Sequence, residues 1–292
     1  MSSKKLGLGT AQFGGDYGVA NSLGQVKEHE VKKILDLSLV NGIHVVDTAI
    51  EYGESEKTLG ICGVSKLQVI TKLPVVPENH SDIEGWVTNQ VKKSLKRLKV
   101  EKLYGLLLHR PEQLLSIHGD SIYKALKKIK DLGLVNKIGV STYDPHIIKD
   151  LLKTFRIDIV QTPLNLIDRR FIEGNYHKLL KDLDIEIHVR SVFMQGLLLI
   201  PKLEIPKYFN SWDSIWRRWH NWLDENSAHS LDTCLSFALA YPEVDQIIVG
   251  ADSCQQWASI IQSMNANLHD SFPNIGVSDP SLINPSNWAI KQ

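Results

Sequence analysis

The chain has 292 residues, 43% of them hydrophobic and 23% charged, with 33 basic and 33 acidic side chains and a formal net charge of zero. That length can bury a large core without covalent staples. The neutral balance gives no general attraction to nucleic acid or to an anionic membrane. Cys62, Cys234 and Cys254 lie far apart with no CxxC pair, which speaks against a zinc ribbon or a thioredoxin-type motif and for a reducing compartment. The basic start, Met1 to Lys5, runs into Gly7 and Gly9 instead of an apolar core, and the longest apolar run is only 197–200. The expectation is a cytoplasmic protein with no nucleic-acid or membrane partner; composition is silent on oligomeric state.

Short apolar runs alternate with amphipathic stretches along the chain. Strands are predicted at 6–10, 43–47, 68–72, 103–108, 137–141, 157–161, 185–189 and 244–249. Helices are predicted at 28–40, 54–62, 82–98, 121–132, 145–154, 172–183, 231–241 and 254–264. Eight strand–helix units imply a parallel sheet with right-handed crossovers, and eight in this length are what a closed (β/α)8 TIM barrel needs. An open doubly wound sheet is the alternative, but Gly7-Leu-Gly-Thr-Ala-Gln12 lacks the third glycine of a dinucleotide fingerprint. The reading is one barrel domain over 1–292, with a Trp-rich insertion at about 201–230 and a C-terminal tail at about 265–292. Trp212, Trp216, Trp219 and Trp222 share one helical face, either packed on the barrel or turned towards substrate or another subunit. The tail is either a lid or a surface segment. The sequon at Asn79 is expected to be silent.

Catalytic groups of such barrels gather at the C-terminal strand ends. Here the strand ends carry Asp47, with Tyr52 just beyond it, then Thr71-Lys72, His109-Arg110, Ser141-Thr142, Gln161 and Arg190-Ser191. Taken singly, each has a bland reading as a cap, packing or solvated residue; their joint placement is what points to a pocket. A zinc site on His109 and Asp47 lacks a second suitably placed His or Cys, so no metal is expected. A free tyrosine ionises near pH 10, and a neighbouring ammonium lowers that value. A buried Lys72 needs a counter-ion, which Asp47 can supply. The set suits protonation of a carbonyl oxygen by Tyr52, with His109 orienting the carbonyl. A hydride must then come from a cofactor.

Asp47-Thr-Ala-Ile-Glu-Tyr52-Gly-Glu-Ser55-Glu56-Lys-Thr-Leu59-Gly60 resembles the signature of the aldo-keto reductases. Leu8-Gly-Thr10-Ala-Gln-Phe13-Gly14, Thr71-Lys72-Leu73, Leu106-Leu-Leu-His109-Arg-Pro111, Ile138-Gly-Val-Ser141, Val160-Gln161, Asn165-Leu166 and Ile248-Val-Gly250-Ala251 extend the likeness from about Leu6 to Met264. The resemblance implies NAD(P)-dependent carbonyl reduction or alcohol oxidation on a barrel. It implies Tyr52 as general acid/base, Lys72 as its tuner, Asp47 as the partner of Lys72, and His109 as the group that orients substrate. It implies cofactor contacts from Ser141 and Gln161 to the nicotinamide amide, and from Thr10 and Ala11 in the first loop. Ser191, Phe193, Gln195 and Gly196 fall in the pyrophosphate loop, and Gly250, Ala251, Asp252, Ser253 and Gln256 in the adenosine segment.

Thr142 stands where many members have Asn, and Arg190 where many stack an aromatic ring on the nicotinamide. A guanidinium plane can stack too. Asp252 stands where NADPH-preferring members often carry Arg or Lys, with Gln256 and Ile260 as further departures. An aspartate there disfavours a 2′-phosphate and accepts from a free 2′-hydroxyl, so NAD(H) is favoured over NADP(H). The short connection after His109 suggests an open mouth and a polar substrate such as a sugar derivative. A nucleotide-binding regulatory subunit, or a Schiff-base lyase using Lys72, are the alternatives.

Overall fold

The computed structural model describes residues 2–78, 80–265 and 271–288. Asn79 of the sequon, with 266–270 and 289–292 of the tail, lies outside the described residues. Eight parallel strands close into a barrel in sequence order: β1 (Leu6–Gly9), β2 (Val45–Asp47), β3 (Gln68–Leu73), β4 (Leu103–Leu108), β5 (Val135–Ser141), β6 (Ile159–Pro163), β7 (Glu186–Arg190) and β8 (Gln246–Gly250). Pairing of Gly7 with Ile248 closes the circle. The helices are α1 (Glu28–Val40), α2 (Ser55–Cys62), α3 (Ile83–Leu98), α4 (Gly119–Asp131), α5 (Ile147–Thr154), α6 (Arg170–Glu173), α7 (Tyr176–Asp182), α8 (Asp213–Glu225), α9 (Ser230–Leu239), α10 (Cys254–Ser263) and α11 (Pro280–Ile283).

Alternation along each strand builds two cores. One face carries Leu8, Val46, Leu106, Val140, Val160 and Val189 into the large shell packed against the helices. The other face fills the barrel with Val45, Ile70, Leu107, Ile159 and Ile248. At the lower end Glu186 Oε2 accepts from Tyr104 Oη at 2.8 Å and pairs with Lys137, while its Oε1 lies 2.7 Å from His188 Nε2.

Boundaries differ from the sequence reading where local chemistry intervenes. The helix expected at 172–183 is two, α6 and α7, because Asn175 takes a left-handed conformation (φ 56°) that no helix interior accepts. Helix α3 starts one residue late because Asp82 caps it, its side chain accepting from Gly85 N at 2.8 Å. Glu56, expected only as part of a motif, is a buried hub: it accepts from Thr71 Oγ1 (2.7 Å), Ser94 Oγ (2.6 Å) and Arg97 Nε (2.7 Å), joining α2 to β3 and α3.

The Trp-rich segment forms α8. Trp216 and Trp219 are buried, and their indole N–H groups donate to Phe209 O (2.9 Å) and Leu198 O (3.1 Å). The described part of the tail packs on this unit: Trp212 Nε1 donates to Asp279 Oδ2 at 3.0 Å, and Phe209 meets Trp288 edge-on with centroids 5.0 Å apart. Neither these four tryptophans nor the described tail residues line the cavity at the top of the barrel. No helix among the described residues is long and apolar enough to cross a membrane.

Candidate active site

The C-terminal strand ends open into one cavity of about 410 Å3. Asp47, Tyr52 and His109 line it. So do Thr10, Ala11, Arg190, Ser191, Phe193, Gln195, Gly196, Gly250, Asp252 and Gln256. Lys72, Ser141, Gln161, Ala251 and Ser253 do not form its lining. Lys72 is fully buried behind it, and Ser253 caps α10, its Oγ accepting from Gln256 N at 3.2 Å.

Asp47 is the hub. Lys72 Nζ donates to its Oδ1 at 2.5 Å and to Thr48 O at 2.9 Å, while Gln161 Nε2 donates to its Oδ2 at 2.8 Å. Ser141 Oγ donates to Gln161 Oε1 at 3.0 Å, so the polar ends of β2, β3, β5 and β6 form one network. A second set, Thr10, Thr48 and Ser55, holds the ends of β1 and β2 together: Thr10 Oγ1 donates to Asp47 O at 2.9 Å, and Ser55 Oγ donates to Thr10 O at 2.9 Å. Each of these buried side chains has an internal hydrogen-bond partner, which is the condition for burying such charges.

Two glycines set the loop that carries Tyr52. A Cβ on Gly14 would lie 1.7 Å from Tyr52 O, and Gly53 takes φ 49° against Gly14 O. Only glycine permits that approach. The Tyr52 ring then lies with the Lys72 ammonium 5.0 Å from its centroid and the His109 ring edge-on at 5.9 Å. Against the sequence expectation, Tyr52 is held above its ordinary pKa, by burial first and then by the charge of Asp47. The reason is geometric: Lys72 is committed to Asp47, so the pair offers Tyr52 little net positive charge. Tyr52 therefore holds its proton at neutral pH. Burial likewise pushes the Lys72 pKa down, with Asp47 opposing.

Burial, and then the charges of Lys72, Arg110 and Arg190, push the His109 pKa down to about 3 from the ordinary 6.5. The Glu51 carboxylate, 2.9 Å from Nδ1, opposes this shift. Burial and the surrounding cations thus favour the neutral imidazole at neutral pH. A buried neutral histidine supports folding fully above pH 6.5, and that support is lost as pH falls towards 3, when the unfolded chain takes a proton the folded one refuses. Its full worth is roughly 3–5 kcal/mol. Denaturant titrations of wild type and His109→Gln at several pH values are expected to show wild type losing more stability than the variant between pH 6.5 and 4. Parallel pH profiles would refute it.

Several cavity residues escaped the sequence reading. Tyr143 follows the end of β5 by two positions and takes the Arg190 guanidinium on its ring at 4.0 Å. Arg190 otherwise donates to Thr142 O at 3.2 Å and Ser191 Oγ at 3.3 Å. Extending the strand-end rule by two residues would have found Tyr143. Tyr17 accepts from Gln195 Nε2 at 3.4 Å, and Ala20 N donates to Gln195 O at 3.3 Å, so the first loop meets the loop after β7. That second loop holds Ser191, Met194 and Gln195 at positive φ, a concentration of strain typical of binding sites. Nothing in the sequence marked Tyr17, and Glu51, which lies in the signature stretch but outside the cavity lining, was given no role.

A closed parallel barrel with a buried Lys–Asp pair beneath a tyrosine at its catalytic end defines a (β/α)8 enzyme scaffold. The sequence model described as the Aldo/keto reductase family matches residues 5–275, and the chain belongs to that family. The chain is 26% identical over 274 residues to the uncharacterized oxidoreductase YqkF of Bacillus subtilis (strain 168), covering 84% of this chain and 85% of that protein. It is 27% identical over 174 residues to the glyoxal reductase of the same organism, covering 59% and 61%. Among solved structures, the holo form of the aldo-keto reductase AKR11C1 from Bacillus halodurans superposes with a TM-score of 0.71 at 23% identity, covering 90% of this chain and 87% of that one. Family membership implies an NAD(P)-dependent oxidoreductase.

The cavity fits a dinucleotide. Two buried acceptors among its lining residues, Gln195 Oε1 and Asp252 Oδ1, have no hydrogen-bond partner in the protein, and such atoms are costly unless a ligand or water satisfies them. Gly9, Gly18, Gly196 and Gly250 keep part of the wall free of side chains.

Proposed function

We propose that the protein moves a hydride between NAD(H) and a carbonyl or alcohol substrate, a sugar or sugar derivative, with Tyr52 as general acid/base. One observation carries this reading: Tyr52 and His109 share the cavity wall while the Asp47–Lys72 pair stands directly behind the tyrosine. The nicotinamide supplies or accepts the hydride when bound. Thr10, Ala11, Arg190, Ser191, Phe193, Gln195, Gly196, Gly250, Asp252 and Gln256 are the wall residues that would hold the dinucleotide, with Ser141 and Gln161 behind the nicotinamide end. Tyr52 gives its proton to the carbonyl oxygen on reduction and takes it back on oxidation. Lys72 lies under the tyrosine ring and, with its charge largely balanced by Asp47, serves to fix the ring in place. Held by Asp47 and Thr48 O and shut off from the cavity, Lys72 is badly placed for an imine, which counts against a lyase. An intact catalytic set counts against a purely regulatory subunit.

Support for NAD(H) comes from Asp252. Burial raises its pKa, and hydrogen bonds from Gln256 and Gln12 oppose the rise. Its unpartnered Oδ1 suits a ribose hydroxyl as donor and is ill matched to a phosphate. Separate titrations with NADH and NADPH, followed by tryptophan fluorescence, are expected to show tighter NADH binding. Asp252→Arg should shift the affinity ratio towards NADPH by about 10–100-fold, some 1.4 kcal/mol per tenfold. Tighter NADPH binding by the wild type would reverse the coenzyme assignment. Absence of aldehyde-dependent NADH or NADPH oxidation across a sugar and simple-aldehyde panel would overturn the function.

A further inference from the structure

Glu51 lies inside the signature stretch but was given no role there, and its side chain is 52% exposed. It immediately precedes Tyr52, on the loop that Gly14 and Gly53 hold in place. From there its Oε2 reaches His109 Nδ1 at 2.9 Å, linking the loop after β2 to the end of β4. The His109 ring is much less accessible, at 17%. Glu51 is absent from the cavity lining, and its contact with a lining residue is the one it makes to His109.

The contact has a chemical consequence. An ionised carboxylate only accepts hydrogen bonds, and a neutral imidazole has one N–H and one lone pair. At 2.9 Å the two atoms bond only if Nδ1 carries the proton; with the proton on Nε2, two acceptors would face each other. The second proton that would make both nitrogens donors is opposed by the other charges around the ring: Lys72 from β3, the adjacent Arg110, and Arg190 from β7. Among the described residues Nε2 makes no hydrogen bond. It is left as a lone-pair acceptor on a residue that lines the cavity next to Tyr52, a donor.

We infer that Glu51 is a positioning residue that holds His109 as the Nδ1–H tautomer, so that Nε2 accepts a hydrogen bond from a hydroxyl next to the reacting carbonyl. This rests on the function proposed above and narrows it to α-hydroxycarbonyl substrates. The carbonyl oxygen takes its hydrogen bond from Tyr52 Oη, and the neighbouring hydroxyl gives one to His109. The two rings lie edge-on with centroids 5.9 Å apart on the wall of one cavity, close enough for adjacent oxygens of one small molecule to meet both. A substrate lacking the hydroxyl leaves Nε2 unpaired on a largely buried ring, which is how a polar site discriminates against a deoxy analogue.

Two measurements test this on the full chain. The first is nitrogen NMR of 15N-histidine-labelled protein, with the His109 signals assigned by their loss in His109→Gln. Wild type is expected to show a protonated Nδ1 and a lone-pair Nε2 at neutral pH. Glu51→Ala should move the population towards the Nε2–H form. The second is kcat/KM for glycolaldehyde against acetaldehyde. Glu51→Ala is expected to lower the hydroxyaldehyde preference about tenfold, and Glu51→Asp, which keeps an acceptor, to restore part of it. A wild-type Nε2–H tautomer, or an imidazolium, overturns the inference. So does an unchanged preference in Glu51→Ala. If NMR gives the Nδ1–H form but neither aldehyde is turned over with NADH or NADPH, the tautomer assignment stands, and the carbonyl-reduction reading falls with its substrate preference.

Discussion

Replacing Tyr52 by Phe is expected to lower kcat by about 10²–10⁴-fold, the range a positioned general acid contributes. Coenzyme affinity should change little. The ring keeps its edge-on packing with His109 and its place above Lys72, so only the hydroxyl is lost. Because burial and Asp47 keep that hydroxyl protonated at rest, its loss removes the proton delivered to the carbonyl oxygen rather than a charge. Single-turnover oxidation of bound NADH, beside a fluorescence titration of NADH, separates chemistry from binding. Near-normal turnover would remove Tyr52 from the acid role. A parallel loss of binding would make it a packing residue instead.

Asp47→Ala is expected to cost about 3–5 kcal/mol of stability, because it strands a buried ammonium. Lys72 is fully buried and keeps only Thr48 O as acceptor once the carboxylate is gone. Gln161 Nε2 loses its acceptor in the same stroke. Adding Lys72→Met should recover much of the loss, since replacing both members of a buried pair by apolar groups is often neutral or better. Urea unfolding of the wild type, both single variants and the double variant gives the coupling directly. Strictly additive losses would show that the pair is not the source of the effect. The double variant is expected to be folded and inactive, which separates the structural role of the pair from its chemical one.

The alternation of apolar runs with amphipathic stretches, eight times over, determined the barrel, because a strand followed by a helix buries its faces in only a few ways. The signature from Asp47 to Gly60 pointed to the family, and the strand-end rule selected Asp47, Lys72 and His109, because side-chain direction at a barrel strand end follows from strand period alone. What chain order cannot express is distance between loops. That Tyr17 meets Gln195, that Arg190 lies on Tyr143, and that Glu51 reaches across to His109 depend on loop paths set by left-handed residues and glycine contacts. The break between α6 and α7 belongs to the same class, since periodicity continues through Asn175 while its backbone does not. Tyr52 is the sharpest case. Its identity and neighbours were legible, but the direction of its pKa was not, because that depends on Lys72 being committed to Asp47 and on how little water reaches the ring. Local pattern is a property of the chain; electrostatic balance is a property of packing.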